Sequence, residues 1–145
     1  MATAAWTFVY PARLSEEADG RYTVTFPDVP EAVTFGSDRE NALANAVDAL
    51  STALAEYARR GLAAPRPSRP GPGQAMIAAD AVIALKLALA EAMREQRIKK
   101  AALARRLGTD EKEVRRLLDP AHASKARRLA DALRALGHSV EVSVS

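Results

Sequence analysis

Lys99-Lys100-Ala101-Ala102-Leu103-Ala104-Arg105-Arg106-Leu107-Gly108-Thr109-Asp110-Glu111-Lys112-Glu113-Val114-Arg115-Arg116-Leu117-Leu118 is the stretch that decides the second half of the chain. Leu103 and Leu107, four apart, share one face of a short helix. Ala104 is small enough for a second helix to cross closely. Gly108 supplies the backbone freedom for a tight turn, and Thr109 is expected to cap the next helix. That helix would bury Val114, Leu117 and Leu118 and leave its polar positions outside. Two short helices at this spacing, joined at a glycine, form the arrangement of a DNA-reading helix-turn-helix. A purely structural three-helix bundle shares the stripe and the turn glycine and stays open as the alternative.

The flanks extend the pattern. Ala81 to Arg97 is strongly helical, with Val82, Leu85, Leu89 and Met93 near helical spacing and Asp80 as a candidate N-cap. Beyond the quoted run, a helix capped by Ser124 would bury Leu129, Leu133 and Leu136 and stop at Gly137. The chain closes on His138-Ser139-Val140-Glu141-Val142-Ser143-Val144-Ser145, where Val140, Val142 and Val144 alternate with polar residues. This is a strand pattern in a half that offers no other strand. An antiparallel pairing with the same segment of a second copy would satisfy its backbone and make a two-fold homodimer. Such a dimer would set two recognition helices about 34 Å apart, one per half-site of an inverted repeat. The sheet of the first half could also take this strand, and a frayed tail is the remaining alternative.

The first half reads differently. Trp6, Phe8 and Tyr10 alternate with Thr7 and Val9, and Tyr22, Val24 and Phe26 with Arg21, Thr23 and Thr25, the period of half-buried strands. Between them Asp19-Gly20 closes a turn. Val33-Thr34-Phe35 reads as a third strand, reached through Pro27-Asp28-Val29-Pro30-Glu31. Ser37 and Glu40 have the spacing of a capping box, and Leu43, Val47, Leu50, Leu54 and Tyr57 form one apolar stripe ending at Gly61. Pro65 to Gly73 has the composition of an extended linker. Met76-Ile77-Ala78-Ala79 is either a returning strand or a lead-in to the next helix.

Composition narrows the function. The 145 residues include no Cys, which excludes disulfides, thiol catalysis and cysteine zinc sites. The longest nearly uncharged run, Ala75 to Leu85, is interrupted by Asp80 and is too short to span a bilayer. No secretion signal opens the chain, so the expected location is cytoplasmic. Residues 1–73 carry 7 Arg against 9 Asp and Glu, a balance of −2, while residues 74–145 carry 14 Lys and Arg against 9 Asp and Glu, a balance of +5. Chance in a short Arg-rich chain gives such a split as readily as two jobs with two partners do. The apparent strands carry no acidic residue, and His122 and His138 lie near loops of the second half. No carboxylate cluster for metal, Gly-rich phosphate loop or Ser-His-Asp arrangement is visible. A binding protein without cofactor, metal or catalytic residues is expected.

The opening strand, Phe26-Pro27-Asp28-Val29-Pro30-Glu31-Ala32, the Thr34-Phe35-Gly36-Ser37 approach to an Ala-rich helix and the downstream helix pair together resemble HicB antitoxins of bacterial type II toxin–antitoxin modules. The second half also resembles the DNA-binding domains of phage-repressor (Cro, XRE) type. The resemblance implies an α+β protein. Residues 1–79 would form a partial ribonuclease-H-like β-β-β-α-β domain that binds a HicA-type mRNA interferase, with Met76 to Ala79 as the fourth strand. Residues 80–145 would form an all-α domain that binds the operator of its own operon and ends in the dimerising strand. Lys99 and Lys100 stand where repressor motifs often have Gln, which favours phosphate contact there.

On this resemblance Glu111, Lys112 and Arg116 are the expected base readers, Arg116 toward guanine and Glu111 toward cytosine. Lys99, Lys100, Thr109, Arg115 and Lys125 would meet phosphates. Glu16, Glu17, Asp19, Asp28 and Glu31 would meet the cations of an RNA-cutting toxin. Two other functions stay open: a repressor whose first domain senses a ligand or serves only in assembly, and a residual nuclease. A neighbouring reading frame for a small basic protein with one histidine would favour the antitoxin.

Overall fold

The computed structural model describes residues 5–145. The protein is a mixed α and β structure with the order β1 (Val9–Glu16), β2 (Tyr22–Thr25), β3 (Val33–Gly36), α1 (Arg39–Arg59), β4 (Ala75–Ala78), α2 (Ala81–Gln96), α3 (Lys100–Leu107), α4 (Glu111–Leu118) and α5 (Ala126–Ala135). It divides into two compact units. The first holds the described residues up to Glu56 together with Ala64–Asp80; the second holds Tyr57–Ala63 and Ala81–Ser145.

In the first unit the four strands form one antiparallel sheet of order β3-β2-β1-β4. Met76 to Ala78 therefore does return to the sheet, with Ile77 opposite Tyr10. Tyr10, Ala12, Val24 and Ile77 share the inner face and are buried. So are Ala42, Ala46, Leu50 and Leu54 of α1, the only helical stripe in the unit available to cover that face. Gly36 is buried where β3 meets α1: a Cβ there would lie 2.3 Å from the Ala42 nitrogen, so only glycine allows the approach. The Pro-rich segment is tied down at two points. Tyr10 donates its hydroxyl to the Pro65 carbonyl at 2.7 Å, and Asp28 accepts from the Ser68 amide and hydroxyl, both at 2.9 Å.

Three local expectations shift. The first strand starts at Val9 and runs through Pro11 to Glu16, leaving Trp6 and Phe8 ahead of it. The α1 stripe is rotated: alanines at 42 and 46 are buried while Val47 is 37% exposed, because the small side chains let the helix lie close. The cap of α1 is Asp38, which accepts from the Asn41 amide at 2.8 Å, and Asn41 returns an acceptor to the Ser37 amide; Glu40 takes no part in this pair.

In the second unit α2 packs against α4 and α5, and α3 against both of these. Leu89, Met93, Leu103, Val114, Leu117, Leu129, Leu133 and Leu136 are buried between them. Gly108 ends α3 in the left-handed region at φ 66°, and the Thr109 amide bonds the Ala104 carbonyl at 2.9 Å. The cap of α4 is Asp110, accepting from the Glu113 amide at 2.9 Å, so Thr109 lies one residue ahead of the capping position. Nor does Ser124 cap α5. Lys125 holds the N-cap position without a side-chain bond, and Ser124 accepts from Lys86 instead. In the single chain residues 139–145 form no regular structure, with Val142 84% and Val144 90% exposed.

Candidate functional site

The sheet has one covered and one open face. Antiparallel pairing puts Ser15, Thr23 and Phe35 in one outward row and Arg13, Thr25 and Val33 in the next. Phe35 is 64% and Val33 57% exposed. Alternation in Val33-Thr34-Phe35 gave the strand correctly, but the apolar residues point away from the core and Thr34 toward it. These two side chains are the candidate contacts that sequence reasoning missed. The signal was available in Gly36, which shares the face of Thr34 and must adjoin the helix.

Beside Phe35 the β1–β2 turn forms a concavity of about 460 Å³, lined by Glu17, Ala18, Asp19, Arg21, Thr23 and Phe35. Glu17 and Asp19 come together here, whereas Glu16, opposite Tyr22 in the register, has the parity of inward Tyr10 and Ala12 and does not line the concavity. The turn is closed by the Glu17 amide bonding the Arg21 carbonyl at 2.7 Å. Glu17 accepts from the Thr23 hydroxyl, and Asp19 accepts from the amide and side chain of Arg21. The Arg21 backbone N–H holds the Asp19 carboxyl below its ordinary 3.8; desolvation opposes it, and the Arg21 guanidinium adds to the lowering. The turn thus keeps its negative charge fixed in place.

Asp28 and Glu31 do not join this group. They follow the other end of β2, which at about 3.3 Å per residue separates them by the length of a four-residue strand. Asp28 is further occupied by Ser68. The five expected toxin contacts are therefore not brought together: Glu17 and Asp19 line the turn, Glu16 falls on the other parity of β1, and Asp28 and Glu31 follow the opposite end of β2.

In the second unit the outer face of α4 carries Lys112, Arg115 and Arg116, opposite buried Val114 and Leu117. Lys112 is central and pairs with no carboxylate among the described residues. Glu111 stands at the margin, paired with Arg115 at 3.5 Å, and Arg116 lies 3.7 Å from Glu113, which also meets Arg128 of α5 at 3.2 Å. Lys99, Lys100 and Lys125 are exposed at the first turns of α3 and α5, and Thr109 is half-buried in the turn before α4. Within α4, the pairs of Glu111 with Arg115 and of Arg116 with Glu113 are exposed, and such pairs contribute only about 0–1 kcal/mol.

No group of three or more metal-ligating side chains occurs among the described residues, and no helix among them is long and apolar enough to cross a membrane.

The first unit thus leaves one sheet face uncovered beside an acidic turn, and the second carries Lys112, Arg115 and Arg116 on the outer face of α4. The family model described as the HicB-like antitoxin of bacterial toxin–antitoxin systems matches residues 9–88. The chain is 41% identical over 133 residues to antitoxin HicB 2 of Photorhabdus laumondii, covering 92% of this chain and 94% of that one. It is 35% identical to antitoxin HicB 1 of the same bacterium, covering 93% and 86%. Antitoxin HicB of Escherichia coli is 34% identical, covering 92% and 96%. The chain belongs to the HicB family of antitoxins.

Proposed function

We propose that this protein binds and neutralises a HicA-type mRNA interferase through its first unit, and represses its own operon by binding operator DNA as a homodimer through its second. The observation that carries the toxin half is the open sheet face, where Phe35 and Val33 are exposed and Phe35 stands beside Glu17 and Asp19; Glu16, on the other parity of β1, would reach the toxin only from the sheet's edge. An enzyme that grips RNA presents cations, and a fixed carboxylate rim around an apolar centre complements such a surface. Asp28 and Glu31, at the far end of the sheet, would serve as a second and separate contact. The protein acts by binding, with no reaction of its own.

The DNA half rests on α3, the left-handed Gly108 turn and α4, read as a helix-turn-helix spanning part of an 80–145 domain. Lys112 and Arg116, with Glu111 at the margin, would face base edges. Lys99, Lys100, Thr109, Arg115 and Lys125 would face phosphates. Val140, Val142 and Val144, exposed in the single chain, would pair with the same residues of a second copy, which accounts for their alternation.

The test uses the full chain and the small basic protein encoded beside it. Phe35→Ser with Glu17→Lys should weaken capture of that protein and restore its RNA cleavage, while leaving operator binding unchanged. Arg116→Ala should do the reverse, lowering the preference for operator over scrambled DNA. Undiminished toxin capture by the first variant would defeat the sheet-face reading, and equal loss on both DNAs by the second would remove base contact from Arg116.

A further inference from the structure

Lys86 is the one buried charged side chain among the described residues, with no exposed surface at all. Neither proposed surface uses it. It stands in α2 between Leu85 and Leu87, at a position where an apolar side chain would fill the core without desolvating a charge. Burial pushes its ammonium below the ordinary lysine range, and the carboxylates of Asp119 and Glu113 push it back up.

All three of its protons have acceptors. The Nζ atom lies 2.9 Å from the Arg116 carbonyl, 3.1 Å from the Leu117 carbonyl and 2.7 Å from the Ser124 hydroxyl. Two of these acceptors belong to the last turn of α4, where a helix leaves carbonyls without intrahelical partners and its dipole favours a cation. The third stands just before α5, and the Ser124 hydroxyl also lies 3.4 Å from the Arg116 carbonyl. With eight residues, α4 has little cooperative length of its own. Asp110 holds one end, and Lys86 holds the other from a different helix.

We infer that Lys86 is a positioning residue for DNA recognition: its ammonium fixes the backbone of Arg116 and the connection into α5, and so sets where the outer face of α4 stands against a base pair. The inference rests on the DNA-binding reading above. A residue that only packed the core would affect stability and all DNA alike. A residue that positions α4 affects the difference between right and wrong sequences, because phosphate contacts tolerate small displacements and base contacts do not.

The full-length protein, Lys86→Met and Ser124→Ala are titrated against a duplex from the region upstream of the gene and a scrambled duplex of equal composition. Met keeps the length of the stem and removes the donor. Wild type should prefer the upstream duplex. Lys86→Met should melt cooperatively, bind scrambled DNA nearly as wild type does and lose about tenfold in preference, the scale of one base contact. Ser124→Ala, which removes one acceptor of three, should lose roughly threefold, the scale of one hydrogen bond. A folded Lys86→Met variant with full preference overturns the inference. If that variant does not fold, Ser124→Ala decides: reduced preference supports the role, and unchanged preference overturns it. Equal affinity of wild type for both duplexes defeats the DNA reading itself, a result separate from either.

Discussion

The two units solve the same packing problem with different materials. The first covers a four-stranded sheet with one helix whose buried stripe begins with alanines 42 and 46, and it needs glycine at 36 to bring the chain that close. The second interlocks leucines from four helices and admits a buried ammonium at the end of α4. The first is held by close approach and strand register, with its polar groups at the rim. The second is held by side-chain volume, and its one internal polar cluster joins the end of α4 to α2. Small substitutions should therefore disturb the first through the backbone and the second through cavities or the loss of that cluster.

The largest effect is expected from removing volume. Leu50→Ala in the first unit and Leu129→Ala in the second should each cost about 2–5 kcal/mol. Hydrogen exchange resolved along the chain should show each loss confined to its own unit; a uniform loss would show that the two units melt as one. Gly36→Ala should cost about 1–3 kcal/mol by overpacking against Ala42, measured by denaturant titration, whereas Gly137→Ala, with open space around it but φ of 87°, suffers only from its backbone conformation. Asp38→Ala and Asp110→Ala should each cost about 1 kcal/mol as lost caps, one in each unit.

A pH test isolates the buried ammonium. With its folded pKa lowered, the burial cost is complete below that value and disappears above the ordinary 10.5. In that alkaline interval the unfolded chain binds more protons, so Lys86 contributes a stability that rises with pH. The difference between wild type and Lys86→Met should carry this slope, and parallel pH curves would refute it. Smallest of all, Phe35→Ser alone should move stability by less than about 0.5 kcal/mol, as an exposed position does; a larger fall in a thermal melt would show that the open face supports the fold.

Much of the architecture was legible in the residues. The leucines around Gly108 placed α3 and α4, and the turn and alternation placed β2, β3 and, with the resemblance to HicB antitoxins, β4. What escaped has physical causes. Alanine is ambiguous between core and surface, so the α1 stripe was assigned to Val47 when Ala46 lies inside. Two helix caps fell one residue late because Asp38 and Asp110 each follow a hydroxyl residue that could serve equally by type, and at α5 the hydroxyl of Ser124 is taken by Lys86 instead. Pro11 in mid-strand and three aromatics upstream drew β1 toward the N-terminus. Lys86 falls at helical spacing with Val82, Leu89 and Met93, and that alignment was the available sign of its burial; charge argued against it. Of the candidate site, the cationic residues of α4 could be named in advance, but which carboxylates gather at one end of the sheet depended on register.

The pairing of β4 with β1 has a consequence for the order of events during synthesis. Val9 and Ala78 are partners, and at about 5–20 residues per second a ribosome needs several seconds to travel from one to the other. Throughout that interval the free edge of β1 has no neighbour, and Ile77, which must close over Tyr10, has not been made. In the second unit α3 and α4 are neighbours in the chain and can meet as soon as both emerge, while α2 waits for α5. A nascent chain is thus unable to complete its sheet until Ala78 has been translated, and the first unit becomes competent as a whole rather than strand by strand.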